Sequence, residues 1–189
     1  MIATGSTAKD RLVAYAEELG FDSCRIARAN PSQHAEEFRG WLGEGAAGEM
    51  EWMARGAEKR CDPAKVLPGV QSIIVVALNY WQGPERDSRP VTGEAVNGRI
   101  ARYAWGEDYH ELMLAKLEKL SACLGELGGV QKCYVDTGPI LERDYAAAAG
   151  IGWHGKSTML VDPKLGTWFF LGEILTTLDL PADQPQPSR

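Results

Sequence analysis

Apolar positions recur at helical spacing in three stretches of the chain. Ala8–Leu19 places Leu12, Tyr15, Ala16 and Leu19 on one face and meets Gly20 as its stop. Pro31–Leu42 turns Phe38, Trp41 and Leu42 to one side. Asp108–Leu127 is the strongest helix, with Met113, Leu117, Leu120 and Leu124 at helical intervals. A short helix at Met50–Met53 follows the glycine-rich break Gly43–Gly48. Ser72–Tyr80 is apolar without alternation, which predicts a strand covered on both faces. Phe21–Ala27, Val130–Val135, Ser157–Val161 and Thr167–Leu175 read as further strands, and Pro139–Ala149 as a further helix. Trp81–Asn97 has no period and reads as a long loop, followed by an extended Arg99–Trp105. Helices alternating with strands predict α/β layers, a mixed sheet flanked by helices. Pro181–Arg189 carries three prolines and little apolar surface, the composition of a linker or tail that does not pack.

Composition narrows the function classes. The 189 residues suit one domain with a full core, here residues 1–180. No apolar run reaches the ~18 residues a membrane span needs, and no basic-then-apolar leader opens the chain, so the expectation is a cytoplasmic protein without membrane partners. A net charge of −6 argues against these residues alone gripping a phosphate backbone. Cys24, Cys61, Cys123 and Cys133 show no Cys-x-x-Cys spacing and read as free thiols.

The chemistry concentrates in Val135–Glu173. Gly150–Ser157 (Gly-Ile-Gly-Trp-His-Gly-Lys-Ser) fits the phosphate-loop pattern at every required position. Its flanks do not. A phosphate loop needs a strand running in and a helix beginning at the lysine, so that backbone N–H groups face the phosphates. Here the helix formers Leu141–Ala149 come first, Gly150 is their stop, and a strand-like segment follows Lys156. Nucleoside-triphosphate binding is therefore the weaker reading. Asp136 ends the Val130–Val135 strand, where open α/β sheets place ligands. It also precedes Thr137-Gly-Pro139 and could equally cap the next helix. His34, His110 and His154 have no second ligand on one helix face, so none is expected to bind metal.

Three motifs are specific beyond composition: Glu58-Lys-Arg-Cys-Asp-Pro63, Ala101-Arg-Tyr-Ala-Trp-Gly-Glu-Asp-Tyr-His110, and Asp-Thr-Gly-Pro through Gly-Thr-Trp-Phe-Phe-Leu-Gly-Glu within Val135–Glu173. Together they resemble the N-terminal half of epoxyqueuosine reductase, over roughly residues 8 to 180. The resemblance implies cobalamin-dependent reduction of epoxyqueuosine to queuosine at the tRNA wobble position. It also implies a cobalamin-binding fold related to flavin reductases. The segment that holds two [4Fe–4S] clusters in that family lies beyond the residues matched here. Implied partners are tRNA and an electron-donor protein, with a monomer expected. An alternative is a non-catalytic cobalamin-binding module that lacks its electron supply.

The resemblance assigns roles by matched position. Asp136 becomes the acid that protonates the departing oxygen, held beside a corrin in a dry gap that would raise its pKa. Arg60 matches a residue meeting the cobalamin periphery. Ala101 and Leu171 match corrin neighbours. Lys156, Ser157 and Leu160 match positions that cradle the nucleotide tail. Many relatives carry asparagine where this chain has Ser157.

Overall fold

The computed structural model describes residues 7–84 and 100–187. Its chain order is α1 (Ala8–Glu18), β1 (Ser23–Arg28), α2 (Ala35–Gly43), α3 (Glu51–Arg55), α4 (Ala57–Cys61), β2 (Ser72–Asn79), α5 (Tyr109–Gly125), β3 (Gln131–Tyr134), α6 (Glu142–Ala149), β4 (Trp153–His154), β5 (Leu160–Val161) and β6 (Phe169–Thr176). The main sheet runs β1-β2-β6-β3, and each of its pairings is antiparallel. The mixed sheet expected from alternating elements is thus corrected to an antiparallel one. The apolar run in β2 reported burial on both faces correctly but carried no information on strand direction.

Side-chain alternation divides the core. Ile74 and Val76 on β2 join Leu12 and Ala16 of α1 and Met113, Leu117, Leu120 and Leu124 of α5 on one face. Ile73, Val75 and Ala77 turn the other way, toward Tyr145, Ala146 and Ala149 of α6. Local signals set the helix ends. Thr7 and Asp10 form a reciprocal capping box at the start of α1. Asp108 accepts from the His110 amide at the start of α5. Gly150, at φ 80°, ends α6 in the left-handed conformation.

Four further expectations need correction or qualification. The strand expected over Ser157–Val161 reduces to Leu160–Val161, because residues 155–159 form the turn of the small β4–β5 hairpin. Within the expected extended stretch, Arg102–Ala104 is a 3-10 turn. The helix expected from Pro139 begins three residues later, at Glu142. Most of the Trp81–Asn97 loop lies outside the described residues.

The proline-rich segment after Leu180 lies along the exposed side of β1. Asp183 donates its amide to Ile26 O (2.8 Å) and accepts the Ile26 amide on Oδ2 (2.9 Å). Lys9 Nζ reaches Asp183 Oδ1 at 2.8 Å, and Gln186 Nε2 donates to Gly150 O at 2.8 Å. Edge-strand backbone groups need partners, and this segment supplies them through polar contacts that a count of apolar residues does not register.

Candidate active site

Asp136 lies just past the end of β3, and its backbone is left-handed, at φ 58°. Among the described residues only Thr158 shares that conformation without being glycine. The left-handed region costs a non-glycine residue about 1–2 kcal/mol, so the surrounding loop must hold it there. Tyr109 Oη donates to Asp136 Oδ2 at 2.7 Å, and His110 Nε2 stands 3.5 Å from the same oxygen. Burial and the Asp136 carboxylate both push the Tyr109 phenol upward, so it remains a donor across ordinary pH. The phenol ring lies flat on Phe170 of β6, with centroids 3.9 Å apart and planes 4° apart. Asp136 does not cap α6, whose N-cap is Leu141 with no side-chain hydrogen bond.

Arg60, at the end of α4, ties into the same loop, its Nη1 donating to Gly138 O at 3.0 Å. Gly138 is required there, since a Cβ would stand 2.6 Å from the Tyr134 ring. Behind the loop lie two buried carboxyls, Glu142 on α6 and Glu173 on β6. Both are pushed upward, Glu142 to about 7 and Glu173 well above the usual range, first by burial and then by neighbouring carboxylates. Neither Glu173 oxygen, nor Glu142 Oε1, nor Arg60 Nε has a hydrogen-bond partner. Glu173 interrupts the apolar run of β6, and no local spacing marks it as buried.

The other expected residues fall into two groups. Leu160 is buried and Leu171 half-buried, both on the α6 side of the sheet. Lys156 and Ser157 are exposed on the hairpin turn, which Arg143 Nη1 braces through Thr158 O at 2.9 Å. No helix begins at Lys156, so the phosphate-loop match has no structural counterpart. Ala101 is exposed beside an aromatic ridge in which Arg102 lies 3.8 Å over Trp81, and Trp81 meets Trp168 at 4.8 Å.

The dry gap expected around Asp136 is not formed by the described residues alone. Its side chain is 62% exposed, and the hollow beside it, between His110, Leu114, Tyr134 and Thr137, encloses about 320 Å³. That space is too small for a corrin. The site is one wall, open on the side of the aspartate.

Residues 60–137 match the family described as "Epoxyqueuosine reductase QueG, DUF1730". The epoxyqueuosine reductase of Gloeobacter violaceus is 44% identical over 192 residues, covering all of this chain and 56% of its own length. The chain is related to part of epoxyqueuosine reductase. It spans about half the length of the curated relatives it matches. A crystal structure of epoxyqueuosine reductase with an epoxyqueuosine-modified tRNA stem loop superposes with a TM-score of 0.80 at 29% identity, over 95% of this chain and 48% of that one. The Bacillus subtilis enzyme, with an aspartate-bearing catalytic loop swung out of its active site, gives 0.77 at 27% identity over 96% and 48%. A reductive dehalogenase studied for B12-dependent dehalogenation shares the fold, at TM-score 0.60 and 19% identity over all of this chain and 22% of that one. The expected kinship with flavin reductases is not among these likenesses.

The structure also brings together residues that the sequence left apart. His34, before α2, and His154, in β4, converge on Asp144 of α6. Neither was expected to share a ligand set, because 110 residues separate His34 from Asp144 and no local spacing marks the encounter.

Proposed function

We propose that this chain forms the cobalamin-binding wall and proton-donating loop of an enzyme that reduces epoxyqueuosine to queuosine in tRNA. The observation that carries the reading is Asp136. It is the strained, exposed acid at a strand end, aimed by a half-buried tyrosine and lying within a sequence related to epoxyqueuosine reductase.

The residues present fit one face of a corrin bearing peripheral amides. Arg60 Nε is a buried donor without a partner, and Lys156 and Ser157 offer exposed donors on a braced turn. Leu171, half-buried, supplies apolar surface, with Leu160 packed in the core beneath. When bound, cobalamin would supply the reducing electrons and an electron-rich metal, chemistry that no side chain provides. This chain's own part is acid catalysis and positioning. Asp136, protonated, donates to the oxygen leaving the ring carbon, which spares the formation of a free alkoxide and contributes typically ~10²–10⁴-fold. Tyr109 holds one carboxyl oxygen and leaves the other to the substrate. Arg60, through Gly138 O, fixes the loop that carries the acid. In this reading electrons reach the cobalamin from an iron–sulfur domain and a separate electron-donor protein, neither of them formed by the residues described.

Titration of the chain with cob(II)alamin tests the reading. Binding should shift the cofactor's visible spectrum and saturate at one equivalent. Arg60→Ala should weaken it, and Lys156→Ala should not create or abolish any affinity for ATP. A flat titration would overturn the cobalamin wall, and saturable ATP binding lost in Lys156→Ala would restore the nucleotide reading.

A further inference from the structure

The cluster around Asp144 is independent of the Asp136 loop. Asp144 is 7% exposed. Its Oδ1 lies 2.7 Å from His34 Nδ1 and 3.3 Å from His154 Nε2, and the two rings meet edge to face at 4.9 Å. All three candidate ligand atoms fall within 4.8 Å of one another. The other carboxylate oxygen is fixed by the Ser32 hydroxyl and by the His34 amide at 2.9 Å. The aspartate is thus oriented from outside the cluster, as metal-binding carboxylates are. His154 Nε2 is sealed from water, yet it has no hydrogen bond of good geometry. A buried ring nitrogen whose nearest partner is a poorly aligned carboxylate oxygen is costly and calls for an explanation.

We propose that His34, Asp144 and His154 form a binding site for a divalent transition-metal cation, with Zn²⁺ the best match. Two imidazoles and one carboxylate suit Zn²⁺ and its neighbours, whereas Ca²⁺ and Mg²⁺ require oxygen shells. Ligands at ~2.0–2.2 Å around a tetrahedral ion lie roughly 3.3–3.5 Å apart. The edge between Asp144 and His154 already has that length. The edge to His34 opens by roughly 0.6–0.8 Å when an ion replaces the shared proton. Three protein ligands leave one position, which faces a cavity of about 900 Å³ bordered by Arg28, Ser32, Asp144, His154 and Gln186. The ion joins the turn before α2, the helix α6, and the hairpin whose turn carries Lys156 and Ser157. Its first effect is to staple the hairpin to the domain.

The test is calorimetric titration of the chelator-treated chain with ZnCl₂ alone, repeated with CoCl₂ while the visible spectrum is recorded. The expected results are one saturable site, a tetrahedral Co²⁺ absorption, and a melting temperature raised by about 5–10 °C at a hundredfold excess over Kd. His154→Ala and His34→Ala should each lower the affinity at least tenfold, with circular dichroism unchanged. His110→Ala controls for adventitious histidine binding and should bind as the wild type does. The proposal is overturned by a wild-type chain with no saturable site, or by equal affinity in the His34→Ala/His154→Ala double variant. Either result leaves cobalamin binding, measured separately, untouched.

Discussion

Gly150→Ala measures how firmly the proline-rich segment is seated on the domain. Gly150 ends α6 at φ 80°, and a Cβ there would stand 2.2 Å from Gln184 O, about 1 Å inside ordinary contact. The opposing atom is backbone, so it cannot swing aside without moving the segment. Two costs then add. The left-handed conformation costs alanine about 1–2 kcal/mol. Displacing the segment endangers the bond from Gln186 to Gly150 O and the paired bonds between Asp183 and Ile26, each contributing about 0.5–1.5 kcal/mol net. With all three bonds lost, the expected total is roughly 2.5–6.5 kcal/mol. Gly128 is the control: its φ is 90°, but nothing lies within 4 Å of an added Cβ, so Gly128→Ala should lose only about 1–2 kcal/mol. Equilibrium unfolding in urea, extrapolated linearly, resolves that difference. Equal losses in the two variants would refute the claim that residues 182–186 are docked through these contacts.

Three further outcomes follow from the core and the site. Leu117→Ala, at a fully buried position between α5 and the sheet, should cost about 2–5 kcal/mol by denaturant unfolding. Glu173 and Glu142 both have raised pKa values in the fold, so their contribution is fully present below the ordinary carboxylate range and is lost as pH rises through the folded values, about 7 for Glu142. Glu173→Gln should therefore gain stability relative to wild type as pH goes from 5 to 8, and a difference that is constant across that range would exclude a buried, protonated pair. Tyr109→Phe removes the hydroxyl that aims Asp136, and should slow epoxide reduction by roughly 10–100-fold while leaving the cobalamin titration unchanged.

Periodicity located α1, α5 and β2 to within a few residues, because each buries a face against the sheet and the burial is written in its spacing. Strand direction was not so written: an apolar run such as Ile73–Leu78 looks the same in a parallel or an antiparallel sheet. The Ser157–Val161 segment misled for a local reason. Its hydroxyl and β-branched residues suit a strand, but the left-handed Thr158 places most of it in a hairpin turn. Asp136 stands just past a strand end, as its place in the sequence predicts, while no local spacing marks Tyr109, in the first turn of α5, as its hydrogen-bond partner. Glu173 and the convergence of His34, Asp144 and His154 were hidden because both depend on long-range packing. The composition of Pro181–Arg189 implies a segment that does not pack, because the hydrogen bonds that hold its described residues to β1, to Lys9 and to the end of α6 leave no apolar signature.

A single-turnover assay tests the acid assignment most directly. The chain is loaded with cobalamin reduced chemically, so that no protein electron donor is required, and mixed with a tRNA stem loop bearing epoxyqueuosine; queuosine is followed by mass spectrometry. Asp136→Asn should bind cobalamin as the wild type does and form product at least ~10²-fold more slowly. Product formation at the wild-type rate in Asp136→Asn would contradict the account.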